Sequence, residues 1–232
     1  MDTSLIAALG LGFLLGLRHA LEPDHVAAMS TFVSQDRGVL RSCLRGTFWG
    51  IGHTAALLAA GIAVVGFKLQ ISPETERSVD RVVAAVLILL GGHVLLRTLG
   101  QVSVHRHEHS HGGPAHSHVH LHVGDAAEHH HVHLLRGAPQ PLLMGLLHGL
   151  AGSGALVVLV LTTMPSAGAA LLYILVFGVG STLGMLVLSG LIGVPFALTA
   201  GGSRTLTTAL QVIVGASSIL VGVLMLHGDL PT

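Results

Sequence analysis

Residues 18–25 read Arg-His-Ala-Leu-Glu-Pro-Asp-His, which sets two imidazoles, two carboxyls and a guanidinium in one short stretch. The stretch lies between Leu5–Leu17, almost wholly apolar, and Val26–Val33, mostly apolar, and with them is about as long as a bilayer crossing needs. Ionisable groups at that depth are costly and usually functional. On a regular helix, turning about 100° per residue, His19 and Asp24 would point about 140° apart and His19 and His25 about 120° apart, so no ion would be shared. Pro23 alters that geometry. It has no N–H, and its ring clashes with the carbonyl four residues earlier, that of His19. A kink or unwound turn is expected here, bringing His19, Asp24 and His25 together and freeing a carbonyl as a further oxygen donor.

Two more histidines belong to the same chemistry. His53 stands in Gly50-Ile51-Gly52-His53-Thr54, and His148 in Gly145-Leu146-Leu147-His148-Gly149-Leu150, both inside apolar runs. Neutral imidazoles with one carboxylate suit Ni²⁺, Co²⁺ or Zn²⁺ and suit Mg²⁺ and Ca²⁺ poorly. Such a set carries little compensating charge and would hold a divalent ion without caging it. The expected metal ligands are therefore His19, Asp24, His25, His53 and His148. His93, in another apolar run, reads more simply as a histidine bonded to a neighbouring helix, or else as a second polar step on a path. A separate tract, residues 100–136, holds twelve of the eighteen histidines, mostly as His-x-His. Alternate residues of an extended chain share a face, so pairs there can chelate. With Gly112-Gly113-Pro114 and no apolar run, the tract is expected to be a flexible, solvated, metal-binding loop.

The elements that must position these groups are hydrophobic spans. The chain is 51% hydrophobic and only 9% charged, which sets the class as an integral membrane protein; zero formal net charge gives no nucleic-acid footprint. The lone Cys43 excludes an internal disulfide, and Met1-Asp2-Thr3-Ser4 lacks the basic start of a cleaved signal peptide. Six spans are expected: Leu5–Val33, broken at the motif, then Thr47–Phe67, Val82–Leu99, Leu142–Leu161, Ala169–Leu191 and Leu206–Leu226. Ser72-Pro73-Glu74 reads as a helix start with proline at its first position and acids in its first turn. Arg37, Arg41, Arg45, Arg97, Arg106, Arg136 and Arg204 fall on one side of the membrane, against Lys68, Arg77 and Arg81 on the other. That imbalance puts the first group in the cytoplasm and both termini outside.

The spans repeat. Gly16-Leu17-Arg18-His19-Ala20-Leu21 matches Gly145 to Leu150, Gly50 to Thr54 matches Gly178-Val179-Gly180-Ser181-Thr182, and Leu87 to Gly91 more weakly matches Ser218 to Gly222. An odd number of spans per copy makes the copies inverted, an architecture of secondary transporters with the substrate site at the repeat interface. Small residues four apart (Gly12/Gly16, Gly46/Gly50, Gly145/Gly149, Gly180/Gly184) are expected to be faces where spans one, two, four and five meet. The organisation is thus residues 1–99 as a first three-helix repeat, 100–140 as a His-rich cytoplasmic loop and 141–232 as a second repeat.

His19-Ala20-Leu21-Glu22-Pro23-Asp24-His25 resembles the His-x4-Asp-His signature of the nickel/cobalt transporter (NiCoT) family, and Phe48-Trp49-Gly50-Ile51-Gly52-His53-Thr54 resembles its second signature. Leu146 to Gly154 looks like the urease-associated branch of the same superfamily. The resemblance covers all six spans and implies movement of nickel or cobalt. The family's larger importers carry acids in the third motif, where this chain has only His148 and Ser153, and they have additional spans.

The resulting expectation is an all-α, six-helix permease of the bacterial inner membrane, carrying Ni²⁺ or Co²⁺ as cargo with no prosthetic group. Its partners would be the metal ion, the lipid bilayer, and a second copy of the chain or a cytoplasmic metallochaperone. Three alternatives stay open: an efflux permease with the same site, a metal store whose working part is the loop, and an intramembrane metallohydrolase. The hydrolase needs a general base, and Glu22 is the only acid near enough in sequence; no His-Glu-x-x-His occurs.

Overall fold

The motif's proline divides the first span in two. The computed structural model describes residues 3–67, 72–100, 139–151, 160, 163–199 and 201–229, with backbone alone for 102–109 and 116–123. Helix α1 runs Thr3–His19 and α2 Pro23–Val33, and the two are bent by 55°. Between them the last turn tightens: Leu21 N–H donates to the Arg18 carbonyl (2.9 Å) and Glu22 N–H to that of His19 (3.0 Å). Glu22 is then extended (φ −62°, ψ 145°), as a residue before proline prefers, and Pro23 opens α2, where its missing N–H costs nothing. The expected break is therefore present, at the expected residues.

Five longer or later helices follow: α3 Val39–Phe67, α4 Pro73–Gly100, α5 Pro139–Leu150, α6 Ala167–Thr199 and α7 Arg204–His227. Side-chain caps fix three of the starts, Ser166 Oγ accepting from Ala169 N–H (3.2 Å) before α6. Ser72 Oγ accepts from Thr75 N–H (3.2 Å) before α4, and Ser203 Oγ accepts from Leu206 N–H (3.3 Å) before α7. Gly228, at φ 77°, closes α7 in the left-handed conformation that favours glycine.

Four of these helices, α3, α4, α6 and α7, are long and apolar enough to cross a bilayer, and the bent pair α1–α2 is a fifth candidate span. Leu89, Leu96 and Leu198 are 71–77% exposed on them, an arrangement that lipid rather than water would favour. The expected fourth span, Leu142–Leu161, is described only in part: α5 ends at Leu150, and residues 152–159 lie outside the described residues. Two expectations are amended. The helices outrun the apolar spans, since α3 starts eight residues before Thr47 and α6 continues through Pro195 to Thr199. Within the tract expected to be a flexible loop, the backbone forms an antiparallel hairpin, β1 Val102–His109 with β2 His116–Val123. Its register sets His105 opposite His120, His107 opposite His118 and His109 opposite His116. Valine at 102, 104, 119 and 123 supplies the strand preference that reading the tract by its histidines overlooked. His111, His129, His130, His131 and His133 lie outside the described residues.

Helix contacts are reciprocal. Helix α3 packs on α6, α4 on α7, α1 on α6 and α5 on α3. A methyl group on Gly16 of α1 would strike the Phe177 carbonyl and Ser181 N of α6; one on Gly145 of α5 would strike the Trp49 carbonyl and His53 N of α3. Gly50 likewise faces Thr182, as Gly178 faces Thr54, and Gly91 faces Ile219, as Gly222 faces Ile88. Each glycine lets two backbones approach where any side chain would hold them apart. Hydrogen bonds between helices reinforce two of these contacts, from Thr54 Oγ1 to the Gly178 carbonyl (3.0 Å) and from Ser218 Oγ to the Leu87 carbonyl (2.9 Å).

In the connection between α2 and α3, Asp36 meets Arg45 Nε at 3.0 Å. Burial pushes the Asp36 carboxyl above its ordinary value, outweighing the opposite pull of Arg45 and Arg41.

Candidate metal centre

All five expected ligands converge, and they come from four helices. His19 is the last residue of α1, Asp24 and His25 lie in the first turn of α2, His53 lies within α3, and His148 is near the end of α5. The break at residues 20–22 makes this possible by turning α2 so that its first residues face the end of α1. Close backbone approach at Gly145 and Gly149 sets α5 against α3 and brings His148 toward the same place.

The side chains approach one another closely. His19 Nε2 lies 3.1 Å from His53 Nε2, His25 Nδ1 lies 3.0 Å from Asp24 Oδ1, and His148 Nε2 lies 3.5 Å from Asp24 Oδ2. His25, His53 and His148 are buried. Yet among the described residues His25 Nε2, His53 Nδ1 and both nitrogens of His148 have no hydrogen-bond partner, the 3.5 Å approach of Asp24 to His148 Nε2 being ionic only. A buried polar atom left so costs about 1–3 kcal/mol, so four in one cluster call for a ligand. Imidazole lone pairs and a carboxylate are the donor set for a late first-row divalent ion. Glu22 Oε2 bonds His19 Nδ1 at 2.9 Å, which orients the ring and leaves Nε2 facing the cluster.

The motif does not act as one triad. The ligand atoms of His19, His25 and His53 lie within 4.8 Å of one another, and so do those of Asp24, His25 and His148. His19 and Asp24, expected as co-ligands, thus fall in different groups, each completed by a histidine of a facing helix. Aromatic rings wall the cluster: Trp49 is 5.1 Å from His148 and 6.2 Å from His25 between ring centres, and Phe177 is 5.4 Å from His19. Trp49 was not singled out from sequence as part of the site, although it sits four residues before His53, one helical turn away. His93 stands apart from the cluster. It lines a cavity of about 380 Å³ with Thr31, Gln35, Arg45, Arg97 and Gln140 among its other walls.

Comparison with known proteins bears on the same residues. The family described as "NicO: High-affinity nickel-transport protein" matches residues 5–226, a range that takes in every ligand above. The chain is 42% identical over 224 residues to "Urease accessory protein UreH" of Bacillus sp. (strain TB-90), covering 96% of this chain and 91% of that protein. It is 32% identical over 93 residues to "Chloroplast protein FOR GROWTH AND FERTILITY 2" of Arabidopsis thaliana, covering 39% of this chain and 25% of that protein. No solved structure matches.

Proposed function

Because the chain belongs to the NicO family and is a multi-pass membrane protein that transports nickel, we propose that Ni²⁺ crosses the bilayer through the cluster centred on His25. His19, Asp24, His25, His53 and His148 are the ligands, and Co²⁺, which accepts the same donors, is the second cargo. The observation that supports this reading is the set of buried imidazole nitrogens, unpartnered among the described residues, that three helices gather around one carboxylate.

Residues 1–99 and 141–232 act as two inverted three-helix units, supported by the reciprocal glycine contacts, and access alternates as one unit rocks against the other. The His-rich segment 100–140 lies in the cytoplasm of a bacterial cell whose inner membrane holds the protein, and it captures or hands on arriving metal. The direction we infer is import, which fits a relative described as an accessory protein of an enzyme, urease. The chain works without enzymatic chemistry. Glu22, the one acid suited to act as a hydrolytic base, is engaged with His19.

Nickel accumulation in cells with and without the protein tests the proposal. Uptake should rise with the wild type and stay at background with His25→Ala inserted at equal level. Full uptake by that variant would remove the cluster from the path, and nickel lost from preloaded cells would reverse the direction.

A further inference from the structure

The reading above treats five side chains as one site, and this inference rests on it. Their atoms divide otherwise. One group is His19, His25 and His53, all imidazole; the other is Asp24, His25 and His148, with the only carboxylate among these ligands. His25 alone belongs to both. The geometry points to two successive stations for a single ion, with His25 as the shared ligand that both stations require.

Exclusive occupancy follows from the chemistry of His25. A neutral imidazole has one lone pair for a metal, because its other nitrogen carries the proton. Filling both stations at once would make His25 bridge two dications through both nitrogens, which requires its second proton to leave. Two divalent ions a few ångströms apart in a poorly screened interior would also repel strongly. One ion in either of two positions avoids both costs.

The order of the stations follows from charge. Exposure does not separate them, since the His19 side chain is 21% exposed in the first group and the Asp24 side chain 17% in the second, while His148 is fully buried against Trp49. The ion enters among neutral ligands, which leave its charge uncompensated. It then exchanges His19 and His53 for Asp24 and His148, gaining one negative charge while His25 serves throughout. Asp24 Oδ1 and Oδ2 already face His25 and His148 respectively, so the carboxylate stands ready for that exchange.

The test uses the full chain in detergent with the twelve tract histidines changed to asparagine, so that Co²⁺ absorption reports only the membrane cluster. One Co²⁺ should bind per chain. His25→Ala should weaken binding about 100-fold, whereas His148→Ala and His53→Ala should each weaken it no more than about tenfold while nickel flux falls by more than that. X-ray absorption should show nitrogen-only protein ligation in His148→Ala and a carboxylate oxygen in His53→Ala. The double variant should bind as poorly as His25→Ala. His148→Gln, closer in volume, runs beside His148→Ala so that lost folding does not pass for a lost ligand. Two ions per chain, or loss of binding in His148→Gln as complete as in His25→Ala, would overturn the two-station scheme in favour of two separate sites or one five-ligand site. Unimpaired nickel flux in His25→Ala would instead sink the transport reading beneath it.

Discussion

The two halves of the molecule pack alike and differ in chemistry. Gly16 of α1 fits against Phe177 and Ser181 of α6 as Gly145 of α5 fits against Trp49 and His53 of α3. The steric plan is duplicated, down to which residues a methyl group would strike. The proposed ligands are not: His19, Asp24, His25 and His53 come from the first half, and His148 from the second. Where the first half has Trp49 and His53, the second has Phe177 and Ser181; where the first has Pro23-Asp24-His25, the second continues Gly152-Ser153-Gly154 past the aligned His148. Helix packing needs small residues at fixed places and tolerates little else, so it is shared between the halves. A metal path needs only one set of donors, so the second half is free to lose them. The proposed site therefore draws most of its groups from the first half, with the second contributing His148 and the ring of Phe177.

The largest effect should come from the half that holds the donors. His53→Ala should cut nickel uptake at least about tenfold, since losing even a group that only supports a metal ligand typically costs about 10–100-fold. The equivalent substitution in the other half, Ser181→Ala, should leave uptake within about twofold. Uptake at matched membrane levels makes the comparison, and equal losses at the two positions would show that the second half also lines the path.

The packing should respond symmetrically where the chemistry does not. Gly16→Ala and Gly145→Ala each force a methyl group against a backbone carbonyl and should each cost about 1–3 kcal/mol, as overpacking does. Thermal unfolding in detergent should show losses of similar size. A large loss at one and none at the other would break the equivalence on which the inverted-repeat proposal stands.

How much of this was readable beforehand depends on whether the cause was local. The break at residues 20–22 was legible because Pro23 acts on its own helix, and the glycine faces were legible because spacing of four fixes a helix surface. His53 and His148 were legible as members of the cluster by residue type and by their place in apolar spans. The division of the ligands into two groups was not. It depends on how α3 and α5 are rotated against the α1–α2 break, and no single span encodes that rotation. The buried Asp36–Arg45 pair was missed for a related reason, since both residues read simply as loop charges. The hairpin at 102–123 was hidden by composition: the histidines drew attention from the valines between them.

A smaller effect is expected from the tract that neither half contains. Deleting residues 105–133 should leave nickel uptake measurable and change mainly its dependence on nickel concentration. The two candidate groups found among the described residues are complete without that tract. Uptake measured across a range of nickel concentrations would check this, and complete loss in a correctly inserted deletion would place essential ligands in the tract.

The smallest effect concerns stability at the position where the halves differ most. Ser181 is fully buried, and its hydroxyl has no hydrogen-bond partner among the described residues. A hydroxyl taken from water without compensation costs about 1–3 kcal/mol by the measure of protein substitutions, and part of that is regained when the group is removed. Ser181→Ala keeps nearly the same volume, so Gly16 can still approach the α6 backbone. The variant should therefore unfold at the same temperature as wild type or slightly above it. His53 also has an unpartnered buried nitrogen, Nδ1, but its Nε2 meets His19, and His53→Ala would leave a cavity of ring size. The metal-free His53→Ala protein should accordingly be less stable than wild type. Opposite signs at two aligned positions would mark one as a retained functional group and the other as a remnant of the duplicated plan. A clear fall in stability for Ser181→Ala would instead mean that its hydroxyl is bonded in the membrane-embedded protein, and the second half would then hold a polar contact of its own at that place.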